Sequence, residues 1–174
     1  MADLIALSAQ IDDAIAILRS VQTQLRSLTE TDEDVWTVAR AIEGEGAALF
    51  PRQRDELGAW MAHTAYNRWT KPWWRHQDGR EWTLAERTAH DFHGTANVTT
   101  PAPWALHIAH EVVGARRSGF GDITGGCLFM LSLVDLRVNG WLERARHKVV
   151  RKFVSQRDGG HQFWFFREWL GREE

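Results

Sequence analysis

Apolar residues recur at alternating steps of three and four from Leu4 through Leu7, Ile11, Ala14, Leu18, Val21 and Leu25 to Leu28, a heptad seam more than three heptads long. The spacing predicts an N-terminal amphipathic, coiled-coil helix. Ile5, Ile15 and Ile17 widen the stripe. That width favours a homo-oligomer or docking onto a partner protein through residues 4–28, with packing onto the chain's own domain as the alternative. The acidic, cap-rich "TETDED" then interrupts the pattern. The chain therefore divides into an N-terminal heptad helix over 1–31 and a main domain over 32–174.

Helical spacing resumes from Val35 to about residue 47, again from about residue 55 to 69 in "DELGAWMAHTAYNRW", and a third time in "WALHIAHEVVGARR". "TKPWWRHQDGREW" and "HDFHGTANVTTPAP" read as loops, punctuated by Pro72, Gly79, Gly94, Pro101 and Pro103. "CLFMLSLVDL" suits a strand, "NGWLERARHKVVRKFV" suits helix or strand, and "DGGHQFWFFREWL" opens on a turn signal and continues as an aromatic strand. The fold class that follows is α+β, mainly helical, with a small β region.

Composition narrows the function. The 174 residues are 44% hydrophobic, enough for one good core. A net charge of −2 gives no electrostatic footprint for nucleic acid. The single cysteine, Cys127, excludes an intrachain disulfide and a multi-cysteine zinc site. Asp3, Gln10, Asp12 and Asp13 interrupt any secretory signal, and no apolar run approaches the roughly 20 residues of a membrane span. A soluble protein without a signal peptide is the expectation. Ten tryptophans against one tyrosine suit a large core and equally suit stacking on sugar rings, with Trp73, Trp74 and Trp104 in or near loops.

Candidate chemistry starts in "VWTVARAIEGEGAALF". At 100° per residue Val38, Ile42 and Glu45 share a helix face, and Glu43 lies about 160° from Glu45. Glu45 is then expected to face the core or a cleft and Glu43 the water. A carboxyl group drawn onto an apolar face loses hydration, which suits a general acid. His90 with His93, and His107 with His110, have ligand-competent spacing, but the order in which a glutamate serves as base is absent and no third ligand is marked. No metal and no cofactor are expected. "GDITGG" lacks the lysine of a phosphate loop, and Cys127 lies in an apolar run where a thiol is inert.

Several of these stretches together resemble the SleB-type cell wall hydrolases, the family of spore-cortex-lytic enzymes. "ARAIEGEGA" resembles the family's opening motif, with Glu45 at its catalytic glutamate; "AHTAYNRW" resembles the segment ending in Asn-Arg, here Asn67 and Arg68. "GDITGGCLFM" is similar to the family's Asp-Pro-Thr-Gly-Gly-Ala stretch, matching Asp122, Thr124, Gly125 and Gly126, and "GGHQFW" to its closing segment at His161 and Phe163. The motifs keep their order over residues 36–166. This chain departs from the family in having a few extra residues between Glu45 and Asn67, Ile123 in place of a proline, and "LFMLS" where tyrosines and an asparagine are usual.

The resemblance implies a lysozyme-like catalytic domain that cleaves peptidoglycan glycan strands as a lytic transglycosylase or muramidase. Glu45 would be the catalytic acid, and Asn67, Asp122, Thr124, Gly125 and Gly126 the substrate-binding set. Asp122 is the candidate second carboxylate of a hydrolytic route, although the motif has it shape the glycine loop while Thr124 reaches substrate. Action on the cell wall would follow non-classical release, lysis or delivery in a phage-like particle. The rival expectation is a non-catalytic phage or virion assembly protein that keeps the fold to grip peptidoglycan.

Overall fold

The computed structural model describes residue 15 and residues 32–71, 79–155 and 160–171. The chain divides into two units, Met1–Asp32 and Glu33–Glu174. In the first, Ile15 is helical and exposed. The heptad helix expected over 4–28 otherwise lies outside the described residues, as do Trp73 and Trp74.

The second unit is mainly helical with a small antiparallel sheet. Its order is α1 (Glu33–Gly44), a 3-10 turn (Ala47–Leu49), α2 (Arg54–Trp69), α3 (Leu84–Asp91), a second 3-10 turn (His93–Asn97), α4 (Pro103–Arg117), β1 (Phe129–Ser132), α5 (Leu133–Val138), α6 (Leu142–Lys148), β2 (Arg151–Val154) and β3 (Gln162–Phe166). The three helices foreseen from periodicity are α1, α2 and α4. Among the described residues no helix is long and apolar enough to cross a membrane.

Two helices depart from the sequence reading, both through the same local device. At α3 the Thr83 hydroxyl accepts from Glu86 N while the Glu86 carboxylate accepts from Thr83 N, a reciprocal cap that starts a helix where no element was assigned. His90 and Asp91 therefore end a helix and do not begin a loop. Ser132 and Asp135 form the same pair, so the apolar run expected as one strand is a strand only to Ser132 and turns helical at Leu133.

β3 is the middle strand, paired antiparallel with both neighbours in the order β1-β3-β2. Period-two alternation sends Phe163 and Phe165 into the larger core, beside Val38 and Ile42 of α1, Leu57 and Met61 of α2 and Val113 of α4. Trp164 and Phe166 enter a second core with Leu136, Ala145 and Leu170. Burial on both faces explains why this strand is aromatic from Phe163 to Phe166 and not alternating.

The end of α1 is shaped by a contact between two glycines. A Cβ on Gly44 would lie 1.9 Å from the carbonyl oxygen of Gly94, so the helix and the His93–Asn97 turn meet backbone to backbone. No side chain can enter without moving one of them. Gly44→Ala is expected to lower the unfolding free energy by about 3 kcal/mol or more, read as a lower midpoint in urea denaturation of the full chain.

Candidate active site

α1 stops at Gly44, and the next residue, Glu45, still donates its N–H to Ala41 O at 2.9 Å. Gly46 follows in the left-handed region (φ 93°), turning the chain into the 3-10 segment. Glu45 is half-buried, and its Oε1 accepts from Gly94 N at 2.7 Å. Its other carboxylate oxygen has no hydrogen-bond partner among the described residues. The Gly44–Gly94 contact makes this bond geometrically available, because it brings the turn's N–H within reach of the adjacent side chain.

Glu43 corrects the helix-face argument. It was expected to point to water, yet it is half-buried and its Oε2 accepts from Ala102 N at 2.7 Å, just ahead of α4. The partial positive charge at a helix N-terminus favours a carboxylate there. Arg40 completes the arrangement by donating Nη2 to Thr95 O (2.7 Å) and Nε to Val98 O (2.5 Å). Three charged side chains on the last turns of α1 and just past its end thus hold the backbone of segment 93–102.

The glycine-rich loop is held from within by a different set. Asn67, 5% exposed on α2, donates Nδ2 to Asp122 Oδ2 (2.8 Å), Thr124 Oγ1 (3.1 Å) and Cys127 O (3.1 Å), and accepts from Arg116 Nη2 (2.9 Å). Asp122 also receives Thr124 N (2.9 Å), the Thr124 hydroxyl (2.7 Å) and Gly126 N (2.6 Å). Burial alone would raise the pKa of Asp122, but the bonds from Thr124, Asn67 and Gly126 outweigh it and hold the carboxyl below the usual range. Asp122 is thereby an ionised anchor for the loop. Thr124 is 1% exposed and its hydroxyl is engaged inside the loop, whereas Gly125 and Gly126 are exposed.

His63, one turn before Asn67, brings its Nδ1 to 3.4 Å from Asp122 Oδ1. That is too long for a strong hydrogen bond. Burial pushes its pKa down, Asp122 opposes the shift and Arg116 adds to it, so the ring is neutral near pH 7. A second buried ionic group lies next door, where Arg68 Nε (2.9 Å) and Arg87 Nε (2.5 Å) meet Asp91 Oδ2.

The structure thus joins Asn67, Asp122, Thr124 and Gly126 in one network. Among the described residues no hydrogen bond or ion pair links Glu45 to it. Trp104 carries the Arg54 guanidinium over its ring at 4.8 Å and, with His107 and Glu111, lines a separate cavity of about 300 Å³ between α2 and α4. His90, His93, His107 and His110 are all exposed, and no group of three or more His, Cys, Asp or Glu among the described residues could hold a metal ion. Cys127 is fully buried, and burial pushes its thiol up to about 11. Phe163 belongs to the core, while His161 is exposed. The sequence reading gave no role to Arg116, or to Arg40 and His63 beyond their place in the quoted motifs, and it took Gly94 only as loop punctuation. Comparison with protein-family models, with curated proteins and with solved structures returns no match for this chain.

Asn67→Ala strands buried partners on the loop and on Arg116, and is expected to cost about 3 kcal/mol. Because Asn67 also holds the Cys127 carbonyl, the variant's thiol should react faster with a thiol reagent under native conditions. A second expectation concerns pH. The folded pKa of His63 lies below its ordinary 6.5, so below that pH the unfolded chain takes up a proton that the folded chain refuses. Stability falls as pH drops from 6.5 toward the folded pKa, and His63→Gln should flatten that slope in unfolding measured across the window. The contribution of Asp122 is lost only at lower pH, beneath its ordinary 3.8.

Proposed function

We propose that residues 32–174 form a lysozyme-like peptidoglycan glycosidase that cleaves the β-1,4 bond between N-acetylmuramic acid and N-acetylglucosamine, with Glu45 as its acid and base. The observation that carries this reading is the Glu45 carboxyl group, half-buried, with one oxygen fixed by Gly94 N and the other unbonded. That combination suits a catalytic acid, since a fully solvated side chain would wander and a fully engaged one could not deliver a proton. The mainly helical unit with its small antiparallel sheet is compatible with such a fold.

In the proposed reaction protonated Glu45 gives its proton to the bridging oxygen as the C1–O bond of muramic acid breaks and an oxocarbenium-like centre develops at C1. The Glu45 carboxylate then accepts the proton of the C6 hydroxyl while that oxygen bonds to C1. The products are a 1,6-anhydromuramic end and a free N-acetylglucosamine hydroxyl, and Glu45 is again protonated. No second carboxylate and no cofactor enter this route. Asp122, saturated by donors, is poorly suited to activate water, which favours the transglycosylase over the hydrolytic version.

Glu45→Gln keeps an acceptor for Gly94 N and loses the titrating proton, so it is expected to reduce glycan cleavage by about 100- to 10,000-fold. Glu43→Gln should have a mild effect. The measurement is mass spectrometry of peptidoglycan digested by the purified full chain, scoring anhydro-ended fragments. Binding without any fragment release would replace this reading by that of a non-catalytic, peptidoglycan-gripping assembly protein.

A further inference from the structure

The antiparallel pairing of β1 and β3 runs beyond the strands, since Leu128 N donates to Phe166 O at 2.9 Å. Past that point the chain passes beside the glycine-rich loop. Arg167 is exposed, and its guanidinium lies against Gly125, where a Cβ would sit 2.8 Å from Nη2 and 3.7 Å from Cζ. Gly125 is left-handed (φ 62°), so its backbone favours the absence of a side chain. Among the described residues Arg167 makes no hydrogen bond and no ion pair. Asp122, the carboxylate of that loop, is already engaged by Thr124, Gly126 and Asn67. The Arg167 guanidinium is therefore left beside the loop with its donors open.

Two residues further on, Trp169 is 48% exposed. It makes ring contacts with Phe129 (5.2 Å between centroids) and Trp141 (5.0 Å), and it packs on Gly171, where a Cβ would fall 2.2 Å from the indole nitrogen. The indole is thus packed against its neighbours in a residue that stays about half exposed. A planar aromatic surface of this kind stacks on the apolar face of a pyranose. An open guanidinium matches a carboxylate in two-pronged fashion.

We infer that Arg167 and Trp169 form a subsite for an acidic glycan, with the Trp169 indole taking a sugar ring and the Arg167 guanidinium taking a carboxylate carried by that strand. The inference rests on the peptidoglycan reading and deepens it, making Arg167 a specificity-determining residue. Two carboxylates of peptidoglycan have the required chemistry. One is the lactyl carboxylate of muramic acid, free only in peptide-stripped strands; the other belongs to the stem peptide.

Binding to the full chain in the Glu45→Gln background, where ligand is not consumed, tests this with three probes. They are neutral oligomers of β-1,4-linked N-acetylglucosamine, peptide-stripped glycan strands, and intact peptide-bearing strands. Arg167→Gln is expected to weaken binding of a carboxylate-bearing probe by about 10-fold or more and to leave the neutral oligomers unchanged, with Arg167→Lys in between. Loss on the stripped strands assigns the lactyl carboxylate; loss confined to intact strands assigns the stem peptide. Trp169→Ala should weaken all three. Tight glycan binding that Arg167→Gln leaves untouched, or weakens equally for the neutral probe, overturns the subsite alone. Failure of the parent protein to bind any of the three overturns the subsite together with the glycan reading.

Discussion

The approach of Gly44 to Gly94 is the constraint on which the candidate site depends. With a Cβ position only 1.9 Å from a carbonyl oxygen, the two backbones meet with nothing between them. This closeness puts the N–H of Gly94 beside the Glu45 carboxylate, and it lets Arg40 and Glu43 reach the carbonyls and N–H of the same segment. The order of cause matters. Glycine comes first, contact second, and the fixed carboxyl group is their result.

The second rigid feature has a different origin. Asn67 is an amide with both donor and acceptor capacity, so one side chain can serve Asp122, Thr124, the Cys127 carbonyl and Arg116 at once. A carboxylate withdrawn from water is costly unless it is paired and hydrogen-bonded, and Asp122 accepts from Asn67, Thr124 and Gly126 with Arg116 Nη1 4.0 Å away. The loop it organises can therefore carry left-handed glycines at its exposed rim, Gly125 and Gly126, without losing definition.

Much of the fold was legible because its signals are local. The 3.6-residue pattern marked α1, α2 and α4, and the aromatic run marked β3. Helix α3 was legible in principle through its Thr-Leu-Ala-Glu start at Thr83, yet eight residues with a mostly polar sequence carry little apolar periodicity. Within the site, short motifs singled out Asn67, Asp122, Thr124 and Gly126, and the structure does bring those four together. The pairings made by Gly94, Arg40 and Arg116 could not be read, since each acts across 49 or more residues of sequence, where local pattern is silent. Glu43 was misread because its surroundings come from α4, an element the wheel of its own helix does not contain.

The strand order β1-β3-β2 also bears on how the protein is made. β3 is the last of the three strands to be synthesised, yet it lies between the other two, which do not pair with each other. Until it emerges, β1 and β2 each expose unsatisfied backbone edges, and Phe153 and Phe165 cannot meet. Insertion of one late aromatic strand then supplies inner walls to both cores together. A chain ending shortly before Gln162 would thus lack the strand that pairs the sheet and closes both cores, the state in which such a nascent polypeptide most needs shielding from its neighbours.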